Sequence, residues 1–266
     1  MIPEILDGAL LYLMLGVVAG ILAGLFGIGG GIVVVPALLF IFHHHPFLPQ
    51  ALLMRFAVGT SLAIMLFTTQ AAVYSHLKLG GVLWSVYQRL WLGLGVGVLV
   101  GSLAANFIPT NWLTTAFGIF LLFVSWKMFA GMGTQGPQRF PSVWLTAVVT
   151  VTTGFLVGLL GIGGGTLIIP YLTYCGVRPQ QIIPVTALCS LTLALIGTLV
   201  FMGMGYENYH LPLTIGYIYW PAVIWVAMSS ILFTPIGAKL TYLLPVKQLR
   251  FAFVILLLVT SASLLL

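Results

Sequence analysis

Two glycine runs are the residues best able to do chemistry. They are Gly27-Ile28-Gly29-Gly30-Gly31 and Gly161-Ile162-Gly163-Gly164-Gly165. Glycine is a poor helix former and enters positive φ without steric cost. A helix restarted after such a break leaves its first backbone N–H groups unpaired and carries about half a positive charge at that end. That chemistry suits an anion. With no Cβ in the way, Gly27, Gly29, Gly30 and Gly31, with Gly161, Gly163, Gly164 and Gly165, are the expected donors.

Small polar side chains could assist them. Thr60-Ser61 and Cys189-Ser190 sit early in equivalent segments, where a hydroxyl can bond a ligand or cap the helix. Gln70, beside Thr68 and Thr69, could offer an amide to a substrate or to a neighbouring helix. Arg55 and Arg89 could attract anions, although snorkelling to headgroups is the favoured role. His76 is expected at a membrane interface. His43-His44-His45 looks like a metal patch, but adjacent residues do not converge easily on one ion. Cys175 and Cys189 form no CxxC pair and sit in apolar surroundings, where thiols are inert.

Other chemistries lack their residues. The three carboxylates, Glu4, Asp7 and Glu207, fall in predicted external segments, so no carboxylate proton relay is expected in the membrane. There is no phosphate-binding loop for ATP, no dinucleotide-binding glycine pattern and no serine-nucleophile elbow. No catalytic residue, metal site or cofactor is expected.

The elements that position the glycines must be membrane helices. Of 266 residues, 61% are hydrophobic and 5% charged, and mean hydropathy is +1.19. A soluble domain carries about 25% charge. Twelve charged side chains cannot cover such a globule, which excludes a water-soluble, disordered or nucleic-acid-binding protein. Polar or Pro-rich breaks separate the apolar stretches, and residues 8–42 and 142–175 are too long for single spans. The first run would be roughly 52 Å as one helix at 1.5 Å per residue, against a hydrocarbon core of about 30 Å. Each is expected to break at its glycines. The N-terminal apolar stretch is expected to be the first membrane segment, not a cleaved signal peptide.

The glycine runs also expose a repeat. Gly20-x-x-x-Gly24-x-x-Gly27-Ile28-Gly29-Gly30-Gly31 with Pro36 is matched, 134 residues later, by the pattern from Gly154 to Gly165 with Pro170. Weaker echoes follow in order: Trp84 and Trp220, Gly101 and Gly237, Pro109 and Pro245. The predicted organisation is a first membrane repeat over 1–131, a polar linker over 132–141 and a second repeat over 142–266. Gly16, Gly20 and Gly24, like Gly93, Gly97 and Gly101, have the small-xxx-small spacing of tight helix packing. If each broken run goes in and comes back, the loop lysines and arginines from Lys78 to Arg250 gather on one side. The positive-inside rule then makes the repeats inverted, with both termini periplasmic. The expected fold is an all-α polytopic membrane protein with 8–10 transmembrane or re-entrant segments.

The doubled Gly-x-Gly-Gly-Gly-x-x-x-x-Pro motif, one copy opening each half, resembles the TauE/SafE sulfite exporter family over about Leu11 to Leu266. The resemblance implies export of small sulfur-containing anions such as sulfite, sulfoacetate or related organosulfonates. With the glycine argument, it points to a secondary transporter of the inner membrane, holding its substrate on backbone amides at the midplane. An inside-negative potential could itself drive an anion outward, by about 2.3 kcal/mol per charge per 100 mV. Failing that, a proton or sodium ion is the coupling partner. A passive anion channel, or a membrane sulfur-relay protein or enzyme acting through Cys189, are the alternatives. The sequence leaves the anion, the direction and the oligomeric state open.

Overall fold

The computed structural model describes residues 8–44, 48–79, 83–129, 140–177, 179–205, 211–243, 254–255 and 257–262. All three carboxylates, His45 and most of the predicted linker lie outside that set. Helix α1 (Ala9–Phe26) and α2 (Gly31–His43) flank the first glycine run. A 3-10 turn at Gln50–Leu52 leads into α3 (Leu53–Leu79), followed by α4 (Trp84–Ala105) and α5 (Thr110–Phe129). Helix α6 (Val143–Leu160) and α7 (Gly165–Tyr174) flank the second glycine run. Then come α8 (Pro179–Met204), a hairpin of β1 (Thr214–Ile215) and β2 (Ile218–Tyr219), and α9 (Trp220–Leu243). Among the described residues, six helices are long and apolar enough to cross a membrane, and α2 and α5 contain shorter apolar stretches. The protein is an all-α polytopic membrane protein.

The outer faces fit that solvent. Trp84, Trp112, Trp126 and Trp144 are exposed near helix ends, as aromatic side chains at a bilayer interface are. Between them, Leu92, Val96, Leu199 and Leu232 also face outward.

Where α1 ends is dictated by glycine. Gly27 takes a left-handed φ of 63° and Gly161, which ends α6, one of 69°. The chain then turns back. Gly31 lies beside Met65 midway along α3, while the Phe42 ring sits 5.8 Å edge-on from Tyr219 and Gln50 Nε2 donates to the His43 carbonyl. So α2 climbs back to the end where α3 begins. Likewise the Tyr171 hydroxyl on α7 is 2.7 Å from the Thr146 hydroxyl near the start of α6. At 1.5 Å per residue α2 and α7 reach roughly 20 and 15 Å, short of the ~30 Å core.

The small-residue ladders pair helices far apart in sequence. The most extensive contacts join α1 to α9 and α4 to α6. A Cβ on Gly20 would meet the Ser230 carbonyl at 2.5 Å, and one on Gly154 would collide with the Leu94 carbonyl. Gly24 packs on Thr234 and Ala238, and Gly158 on Val98 and Ser102. Both pairs run parallel, backbone against backbone. In contrast α3 and α8 cross antiparallel: Gly59 meets Phe201, Leu62 meets Gly197, and Ala72 and Val73 cluster with Ala187 and Leu188.

Candidate functional site

The crossing of α3 and α8 brings the two glycine turns together. A Cβ on Gly163 would overlap the Ile28 carbonyl, one on Gly165 would strike the Ile28 side chain, and one on Gly31 would strike the Gly161 carbonyl. The turns therefore touch backbone to backbone, and every residue from Gly27 to Gly31 and Gly161 to Gly165 is buried. Close packing by itself requires glycine at these positions.

Two hydroxyls cross between the turns. Ser61 on α3 donates to the Gly161 carbonyl at 3.0 Å, and Ser190 on α8 donates to the Gly27 carbonyl at 3.1 Å. Helix α3 thus secures the break between α6 and α7, and α8 the break between α1 and α2. Removing either hydroxyl leaves a carbonyl short of a donor inside the bundle. Ser61→Ala and Ser190→Ala are each expected to cost about 1 kcal/mol, more where the carbonyl is left bare; melting in detergent measures it.

Despite their burial, the backbone N–H groups of residues 28–32 and 162–165 donate to no acceptor among the described residues. Buried helix starts without partners are rare in native proteins. The turns are not copies of one conformation. Gly27, Gly29 and Gly30 all have positive φ, whereas in the second turn only Gly161 does and Gly164 is right-handed at −59°.

The other predicted residues divide. Thr60 accepts from the Tyr219 amide at 3.0 Å, tying α3 to the hairpin. Cys189, at the equivalent place on α8, is fully buried. Gln70 does not join the site: it is exposed on α3, because successive helical residues point about 100° apart. Its neighbours face inward, with Thr68 donating to the Gly29 carbonyl at 3.0 Å and the Thr69 methyl packed near Gly29. Thr68 contacts the turn directly and was only a bystander in the sequence reading. Its counterpart on α8, 129 positions on like Ser61 and Ser190, is Gly197, so that bond has no twin.

His76 is fully buried between helices, and its Nε2 donates to the Gly24 carbonyl at 3.0 Å in the last turn of α1. Burial was not legible from its place near a segment end. His43 and His44 are exposed at the end of α2, and no group of three His, Cys, Asp or Glu gathers among the described residues.

Broken apolar helices packed through small residues, with amides at the breaks that donate to no acceptor among the described residues, fit a multi-pass membrane protein of the transporter class. Sequence comparison agrees. The model of the family described as Sulfite exporter TauE/SafE matches residues 12–264, and the chain belongs to that family. A probable membrane transporter protein of Haemophilus influenzae is 33% identical over 261 residues, covering 96% of this chain and 97% of that protein. A probable membrane transporter protein of Methanocaldococcus jannaschii is 29% identical, covering 90% and 89%. YunE of Bacillus subtilis, likewise named a probable membrane transporter protein, is 27% identical over 74% of this chain. No solved structure matches. These names indicate membrane transporters, not enzymes, and with the apolar helices they make this a multi-pass membrane protein.

Proposed function

We propose that the chain is a secondary transporter exporting small sulfur-containing anions (sulfite, sulfoacetate or a related organosulfonate) across the inner membrane. The substrate is held by the backbone amides of the two glycine turns. The observation that carries this reading is the set of N–H groups at the buried residues 28–32 and 162–165 that donate to no acceptor among the described residues. Donors at two facing helix starts form a field suited to an oxyanion, and discontinuous helices serve transporters this way. The family's designation as sulfite exporters supplies the substrate class.

We also infer two homologous halves, 1–131 and 142–266, inserted in opposite senses. The reason is the crossing of α3 and α8. These long apolar helices carry the equivalent Ser61 and Ser190, make equivalent bonds, yet run antiparallel. A two-fold axis that reverses a membrane-crossing helix lies in the membrane plane. Lys78 and Lys239 then mark the cytoplasmic side, and both termini are periplasmic.

The test is saturable sulfite flux from proteoliposomes, with Gly164→Ala as the probing variant. Gly164 is right-handed, and a Cβ there meets chiefly the flexible end of Leu193, so alanine folds. Gly30→Ala is the poorer choice, because its φ is 80° and a Cβ would stand 2.9 Å from the Ala19 carbonyl. Gly164→Ala is expected to raise the KM for sulfite by about tenfold, the effect of weakening one charge-assisted contact. Unchanged KM makes the turn a packing device, and flux that never saturates makes the protein a channel.

A further inference from the structure

We propose that Arg55, with the Asn106 carboxamide and the Tyr217 ring, forms a second binding site for one small oxyanion, at the end of the bundle opposite Lys78 and Lys239. The proposal rests on the transport reading only for its choice of probe.

Arg55 lies half-buried in the first turn of α3. Snorkelling would extend it to the headgroups, but the structure holds it inward. Its Nη2 donates to the Ile108 carbonyl at 3.5 Å, and its guanidinium carbon is 6.0 Å from the centre of the Tyr217 ring. Tyr217 is fixed in turn by donating to Asn106 Oδ1 at 3.3 Å and by the Phe56 ring at 5.5 Å. Phe201 adds an edge contact at 6.5 Å.

This arrangement positions a guanidinium without satisfying it. Of five N–H donors, one makes a single long bond. Nε is fully buried and has no hydrogen-bond partner among the described residues. A cation desolvated in this way is costly unless an anion pairs with it. The guanidinium fork matches the paired oxygens of a sulfite, sulfonate or phosphate group.

Packing does not require the arginine. The equivalent position on α8, 129 residues on, is Pro184. The other cations whose side chains are described, Lys78, Arg89 and Lys239, occupy the far end. Along α3, Arg55 is roughly 35 Å from Lys78 and roughly 9 Å from Ser61, at 1.5 Å per residue. An anion at Arg55 is therefore one short step from the glycine turns.

The oxyanion can come from solution or from a lipid headgroup, and two arms separate the sources. Purified protein in dodecyl maltoside is melted with sodium methanesulfonate against sodium chloride at equal ionic strength, then with added phosphatidylglycerol. Wild type, Arg55→Lys, Arg55→Gln and Asn106→Leu are compared. A rise in Tm with methanesulfonate, with apparent affinity weakened at least about tenfold in Arg55→Gln and less in Arg55→Lys, assigns the site to a soluble anion. A rise confined to phosphatidylglycerol, lost in Arg55→Gln, assigns the same site to a headgroup. The readout is the anion-dependent increment, so a lower baseline Tm does not obscure it. Asn106→Leu keeps the arginine and is expected to lose part of the increment.

An increment identical in wild type and Arg55→Gln overturns the proposal, as does none in wild type. So does an equal, anion-independent Tm loss in Arg55→Gln and Glu207→Gln, which would mark an internal ion pair. Sulfite flux is measured in parallel. Flux without an Arg55-dependent increment removes this site and leaves transport standing. An increment without flux does the reverse.

Discussion

Replacing Gly163 by alanine is expected to leave no folded transporter. The new Cβ would occupy the place of the Ile28 carbonyl. Both groups belong to backbone, and both backbones are fixed by hydroxyls from across the crossing, Ser190 on Gly27 and Ser61 on Gly161. No side chain can rotate away. Relief requires the two turns to separate, which frees Gly31 from Gly161 and Gly165 from Ile28 together. Overpacking in a core that can adjust costs about 1–3 kcal/mol. Here the loss is expected to exceed about 3 kcal/mol, a large share of a typical net stability of about 5–15 kcal/mol. Size-exclusion of a fluorescent fusion checks it: Gly163→Ala should run as aggregate. Gly203→Ala, with nothing within 4 Å of its Cβ, should run as wild type.

The second large effect is expected at His76. Its ring fills a fully enclosed place between α3 and α1, and Nε2 donates to Gly24 in the last turn before the first break. Helix C-termini expose carbonyls that need donors. His76→Ala opens a cavity and removes the donor, for a loss of about 3 kcal/mol. His76→Gln keeps an N–H and much of the volume, and should lose about 1 kcal/mol. Melting in detergent separates the two. Equal Tm values for alanine and glutamine would overturn this, because glutamine keeps the donor and most of the volume that alanine removes.

These two residues also show how much the sequence made legible. The glycine runs predict breaks because glycine disfavours helix, and α1 stops at Phe26 while α6 stops at Leu160. Family membership and a polytopic membrane fold follow from the doubled motif and the composition. What periodicity cannot state is which surface meets which. The ladder of Gly16, Gly20 and Gly24 announces a close neighbour, yet nothing local says that the neighbour is α9, more than 200 residues away. Gln70 looked like a partner for substrate because it is polar in an apolar stretch. A one-residue step around the helix turns it outward and Thr69 inward. The burial of His76 depends on where α1 ends, a fact held by another segment. The two glycine runs read alike, yet their φ angles differ, and only the first turn accepts a hydroxyl from Thr68.

The embrace of α1 with α9 and of α4 with α6 carries a last consequence. Each tight couple draws one helix from before residue 132 and one from after residue 141, so the solid bodies are hybrids of the two lengths of chain. Cutting the chain between 132 and 141 should yield fragments that stay clasped.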